Sequence, residues 1–135
     1  MSSSILVTDT HPLVWYVCGE SRKLPKKVKA AFDDAVEGRR AIFIPHIVLW
    51  EFALVIKSGK VRLDAPLDEY VRERFFAKSI SILELETEDI LHSNELNFTS
   101  DPFDALIVAM AKRMDCPLIT GDSVIHSKKP CQLFW

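Results

Sequence analysis

Five acidic residues stand where a carboxylate can do chemistry. Asp9 directly follows the apolar run Ile5–Thr8, and Asp122 comes two residues after the run 118–120. Open α/β sheets build their sites at the carboxyl ends of strands, near a reversal of strand order. Acids in those two places therefore share one rim, although Asp after a strand also commonly caps the next helix. Glu51 sits among nine apolar residues in the stretch 47–56. A carboxylate buried on such a helix is costly unless it is paired or binds a cation. Helical side chains lean toward the N-terminus, which aims Glu51 at the same rim. A buried ion pair with Lys or Arg is its structural alternative. The fourth group is Asp101-Pro102-Phe103-Asp104, running into seven further apolar residues. Asp at the N-cap and Pro at N1 is a common helix start, and an acid at N3 suits the helix dipole. Positions i and i+3 share a helix face, so Asp101 and Asp104 reach a common site, with Asp104 the functional member.

Carboxylates converging without matching arginines repel one another and raise each other's pKa values. A divalent cation resolves this, and all-oxygen ligands favour Mg2+ or Mn2+ over zinc. The chemistry inferred is hydrolysis of a phosphate ester by metal-activated water. No P-loop, G-x-G-x-x-G or Ser-His-Asp order supports nucleotide cradling or a serine nucleophile.

Short β-rich runs alternating with helical stretches must position these acids. Strands are expected at Ile5–Thr8, 41–44, 81–85 and 118–120, with an edge strand at 132–135. Helices are expected from Pro12, at Lys26–Val36, 46–57 (ended by Ser58-Gly59), 67–78, 87–96 and Pro102–Met114. Continuous apolar strands between helices imply an α/β fold: a three-layer α/β/α arrangement around a short, mostly parallel sheet. The length of 135 residues suits one domain spanning 1–135.

A hydrophobic fraction of 48% excludes a disordered chain. The apolar runs are too short to span a bilayer, and no secretory signal is visible, so no membrane association is expected. Three cysteines far apart (Cys18, Cys116, Cys131) and four scattered histidines argue against disulfides and zinc, and for a cytoplasmic protein. The net charge of −2 disfavours a generic nucleic-acid coat. Setting aside Asp9, Glu51, Asp104 and Asp122, however, leaves 15 acidic against 17 basic residues.

Asp9-Thr10-His11-Pro12-Leu13-Val14-Trp15, Leu49-Trp50-Glu51-Phe52-Ala53, Asp101-Pro102-Phe103-Asp104-Ala105-Leu106-Ile107 and Leu118-Ile119-Thr120-Gly121-Asp122 together resemble the ordered motifs of PIN-domain ribonucleases. The VapC-type toxins of toxin–antitoxin systems are the most similar subgroup. Lys57-Ser58-Gly59-Lys60-Val61-Arg62-Leu63 and Leu133-Phe134-Trp135 also look like that subgroup. The resemblance implies a PIN-like fold and a Mg2+- or Mn2+-dependent endoribonuclease. Its acidic quartet maps onto Asp9, Glu51, Asp104 and Asp122, with Asp101 and Thr120 beside the metal. It further implies a homodimer, an RNA substrate and a cognate antitoxin whose tail covers the active-site groove. Ala105 stands where the subgroup often carries Arg, and residues 97–100 lack its frequent His.

RNA binding needs basic residues near the acids. The stretch 22–29 holds five in eight, and Lys23, Lys26 and Lys27 are its candidate RNA contacts. A solvated helix face is the ordinary explanation of such a run. Trp15 and Tyr16 are candidates for stacking on unpaired bases, against ordinary core packing. Two rival readings remain: a metal-dependent phosphatase or phospho-receiver domain, and a non-catalytic RNA- or protein-binding dimer. A receiver needs an acidic pair after the first strand, and only Asp9 stands there.

Overall fold

The computed structural model describes residues 5–75 and 79–135. Five parallel strands form one sheet in the order β3-β2-β1-β4-β5: β1 Ile5–Thr8, β2 Ala41–Pro45, β3 Ile80–Leu83, β4 Leu118–Ile119 and β5 Leu133–Phe134. The chain steps outward from β1 through β2 to β3, then returns to place β4 on the other side of β1. The strand order thus reverses between β1 and β4, the place where open sheets form sites. Leu6 and Val7 on β1, and Leu118 and Ile119 on β4, are all fully buried. Successive strand residues face opposite sides, so both faces of the sheet are covered. The α/β expectation holds, with every strand pairing parallel rather than most.

The flanking helices are α1 Thr10–Val17, α2 Lys26–Val36, α3 His46–Ser58, α4 Leu67–Glu69, α5 Thr87–Ser93, α6 Pro102–Met114 and α7 Ser123–Lys128. Expected and observed bounds coincide for α2 and α6, whose amphipathic spacing marks the helix and whose prolines, Pro25 before α2 and Pro102 opening α6, mark its start. Helix α1 begins at Thr10 rather than Pro12, because the Asp9 carboxylate caps it. Helix α3 ends at Gly59, whose φ of +82° is the left-handed cap that glycine adopts without strain.

Other boundaries differ for reasons outside local periodicity. The helix expected at 67–78 is a short α4 continued by a π-helical turn, Tyr70–Phe75; positions 76–78 lie outside the described residues. There Tyr70 donates to the Asp64 carboxylate, and Arg74 pairs with both Asp64 and Glu69. Strand β3 stops at Leu83, and the Glu84 carbonyl instead accepts a bond from Arg113 at 3.0 Å. Helix α5 ends at Ser93, whose hydroxyl donates to the Ile90 carbonyl at 2.7 Å and competes with the helical ladder. Helix α7 and a 3-10 turn at Ser21–Lys23 were not expected.

Helix α6, which carries Asp104 and is capped by Asp101, is locked to the start of α5 through Arg113, which pairs with Asp89 and with Glu86. Arg113 donates to both oxygens of Asp89, at 2.8 and 3.1 Å, and Asp89 is 1% exposed. Asp89 also accepts from the Glu86 backbone in a capping box. Removing the guanidinium leaves a buried carboxylate without its cation. Arg113→Ala is therefore expected to lower unfolding free energy by about 3 kcal/mol in urea titration, with Arg113→Lys losing less.

Candidate active site

The local sequence places four of the acids at the end of a strand or the first turn of a helix, and Glu51 inside α3. Asp9 leaves β1 and caps α1, with Oδ1 accepting from the Thr10 amide at 2.7 Å. Its Oδ2 accepts from the Thr120 hydroxyl at 2.6 Å, across from the end of β4. The same hydroxyl accepts from the Asp122 amide at 3.1 Å, so Thr120 ties the two acidic turns together. Asp122 caps α7 through Ile125 N at 3.0 Å, and Asp101 caps α6 through Phe103 N at 2.9 Å. Capping was posed as the alternative to function for these residues. In the structure Asp9, Asp101 and Asp122 all cap, and all three face the same cleft.

That cleft has a volume of about 340 Å³ and is lined by Asp9, Glu51, Asp101, Asp104 and Asp122. Its other walls include Thr10, His11, Trp15 and Gly121, with no Lys or Arg among the described residues. Among the described residues Glu51 has no ion pair, and its Oε1 accepts from the Thr10 hydroxyl at 2.8 Å. Helix α3 is also less enclosed than its apolar run suggests, since Trp50 and Leu54 are exposed. Asp104 is half-buried, and among the described residues its carboxylate accepts no hydrogen bond. A larger groove of about 530 Å³ between α1, α2 and Tyr70 gathers no such cluster of acids.

The electrostatics follow from burial and mutual repulsion. Desolvation raises the Asp104 pKa to about 7, helped by Asp101, Asp9, Asp122 and Glu51. Burial pushes Asp9 upward, against the bonds from Thr120 and Thr10. Glu51 is raised mainly by burial, with the Thr10 bond opposing and Asp9 and Asp101 adding to the rise. Like charges are thus held together at a strain that a hard cation would relieve. Among the described residues no group of three His, Cys, Asp or Glu side chains forms a ready-made ligand set. Mg2+ does not need one, because it keeps several waters and takes one or two carboxylates directly. The five carboxylates, with no Lys or Arg beside them among the described residues, fit such an ion.

The other expected contacts sort differently. Lys23 pairs with Glu20 at 2.5 Å, and neither it, Lys26 nor Lys27 lines the cleft. Tyr16 donates to Asp33 at 2.7 Å and stacks on Phe32 at 4.7 Å, so it serves packing rather than base stacking. Trp15 does line the cleft. His11, Gly121 and Trp135 escaped the sequence reading. His11 follows Asp9 by two residues, which was the available signal. Gly121 is needed for packing: a Cβ there would lie 2.6 Å from the Trp135 ring. Gly121→Ala is expected to displace that indole, visible in tryptophan fluorescence, at a cost of about 1–3 kcal/mol.

An acidic, all-oxygen cleft at the strand-order reversal of a parallel sheet defines an α/β domain suited to phosphate-ester chemistry. The sequence matches the PIN domain model over residues 6–129, so the chain belongs to the PIN domain family, whose members are generally nucleases. No curated protein matches the sequence significantly. Solved structures share the fold at low identity. VapBC2 from Rickettsia felis, bound to a promoter DNA fragment, aligns with TM-score 0.67 and 17% identity over 96% of this chain and 97% of that one. A toxin–antitoxin complex from Klebsiella pneumoniae gives 0.62 and 17% over 93% and 94%. FitAB bound to the IR36 DNA fragment gives 0.61 and 14% over 96% and 93%.

Proposed function

We propose that this protein is a Mg2+- or Mn2+-dependent endoribonuclease and the toxin of a toxin–antitoxin pair, acting as a single cytoplasmic domain and a homodimer. The observation that carries the reading is the convergence of five carboxylates on one cleft that no Lys or Arg lines among the described residues. Asp9, Glu51, Asp104 and Asp122 are the catalytic and metal-binding quartet, with Asp101 a further ligand and Thr120 an accessory residue. A bound divalent ion would polarise the phosphate and lower the pKa of an attacking water.

The side chains divide the remaining work. Asp9, fixed through both oxygens, offers a rigid anchor. Glu51 is tethered by Oε1 to the Thr10 hydroxyl, which sets its reach across the cleft. Asp104, with a pKa near 7, can take a proton from water and return it near neutral pH. The receiver alternative loses support because no lysine lines the cleft among the described residues. An antitoxin partner is supported by the Klebsiella neighbour, itself a toxin–antitoxin complex. A basic side chain of the antitoxin entering the acidic cleft would compete with the cation.

The test incubates purified protein with structured RNA and Mg2+ or Mn2+, beside Asp104→Asn. Cleavage by the wild type alone supports the reading. Equal cleavage by both, or none with any RNA and metal, counts against it and favours a non-catalytic binding dimer. A small upstream gene overlapping this one, whose product co-purifies with the chain, would support the antitoxin.

A further inference from the structure

The turn that joins β4 to α7 carries Thr120 and Asp122, and one histidine grips both ends of it. The His126 amide donates to the Asp122 carbonyl at 3.0 Å. Its ring reaches back to the carbonyl of Thr120, which lies 2.6 Å from Nε2. A carbonyl oxygen only accepts, so Nε2 carries the proton and donates it. Thr120 is fully buried, one residue past the last β4–β5 pair, Ile119↔Phe134. The His126 ring also stands edge-on to the Trp135 indole, 6.3 Å away, and that indole closes over Gly121 between the two held residues.

A buried carbonyl needs some donor, and satisfying it would alone account for a polar side chain at position 126. What His126 holds, however, is the residue that links the acids. The Thr120 hydroxyl donates to Asp9 Oδ2 at 2.6 Å and accepts from the Asp122 amide at 3.1 Å. Both bonds are directional, so a tilt of the Thr120 peptide misplaces Asp9 and Asp122 together. His126 itself does not line the cleft. Resting on the metal-dependent nuclease reading above, we propose that His126 is a positioning residue of the acidic site. By gripping the turn at Thr120 and Asp122, it sets the carboxylates of Asp9 and Asp122 for a shared divalent cation. It acts through Thr120 rather than on the ion or the RNA. Groups hydrogen-bonded behind ligating carboxylates commonly govern metal affinity in this way.

Two substitutions separate the donor from the ring. His126→Gln places an amide nitrogen as many bonds from Cα as Nε2, whereas His126→Phe keeps a ring beside Trp135 without a donor. Mn2+ binding is measured by electron paramagnetic resonance without RNA, beside Tm and, with RNA, kcat and KM at limiting metal. His126→Phe should weaken Mn2+ binding about 10-fold and lower kcat by about as much, with KM for RNA unchanged. His126→Gln should restore most of both. His126→Asn, whose amide stops a bond short, gives the same comparison if the Phe variant does not fold. In a Thr120→Val background, where the hydroxyl link is gone, losing the donor should cost much less. If His126→Phe keeps wild-type Mn2+ affinity and kcat on an RNA that Asp104→Asn fails to cut, the nuclease stands and the positioning role is overturned. A loss that Gln and Phe share equally overturns it too, as does one that adds in full to that of Thr120→Val. If the wild type neither binds Mn2+ nor cuts any RNA, the nuclease reading falls first and the role of His126 with it.

Discussion

Asp104→Asn is expected to lower kcat for RNA cleavage by about 10²–10⁴-fold and to raise the Tm of the metal-free protein at pH 8. Both effects come from one cause. The wild-type carboxylate is held beside four others, and its pKa rises from the ordinary 3.8 to about 7. Between those values the folded protein keeps a proton that the unfolded chain gives up. The contribution of Asp104 to stability is therefore fullest below about pH 4 and is lost as pH climbs through 7. The full shift would correspond to about 4 kcal/mol. Asp104 is only half-buried, however, and solvent screening reduces this to about 1–2 kcal/mol, or a few degrees in a domain of this size. Asparagine keeps the shape without the charge, so this part of the pH dependence should disappear. Calorimetry at pH 5 and pH 8 in chelator, beside single-turnover cleavage with Mg2+, reads both effects. A variant that is less stable than wild type at pH 8, or that cleaves at wild-type rate, would break the link between charge crowding and catalysis.

What the sequence could disclose depended on how local the cause was. Helices α2 and α6 were legible to the residue, because their stripes and prolines lie within the segments themselves. The five acids were legible as a group because four stand at the end of a strand or the first turn of a helix and Glu51 interrupts an apolar run, and all meet at the β1–β4 reversal. Choosing between capping and function was not possible from spacing, since the carboxylates that cap α1, α6 and α7 also line the cleft. The helix expected at 67–78 differed because Tyr70 and Arg74 answer to Asp64, a partner upstream of the segment. The early end of β3 depends on Arg113, which lies 29 residues further along the chain. The partner of Glu51 was sought among cations because its run is apolar, yet it is the hydroxyl of Thr10, 41 residues away. The contact of Trp135 with Gly121 exists only once β5 has paired with β4.

Removal of divalent metal should abolish cleavage, and adding Mg2+ back should restore it together with a rise in Tm that depends on pH. A cation that binds only the folded chain stabilises it by mass action, about 2.7 kcal/mol at a hundred times Kd, which is several degrees here. It must displace protons from groups whose values are raised, Asp104 to about 7 and Asp9 and Glu51 upward. The Tm response should therefore be large at pH 8 and shrink as pH falls below about 7, where Asp104 takes up its proton. Asp104→Asn should show a smaller response at pH 8, because the crowding that the ion relieves has already been reduced. Calcium, which also takes oxygen ligands but demands more of them, would raise Tm without supporting equal cleavage if the number of bound waters matters. Cleavage that persists in chelator, with Tm insensitive to Mg2+ at both pH values, would remove the cation from the cleft. Asp104 would then have to accept the proton of the attacking water unaided, and the crowding of Asp9, Glu51, Asp101 and Asp122 around it would serve to set that basicity rather than to hold an ion.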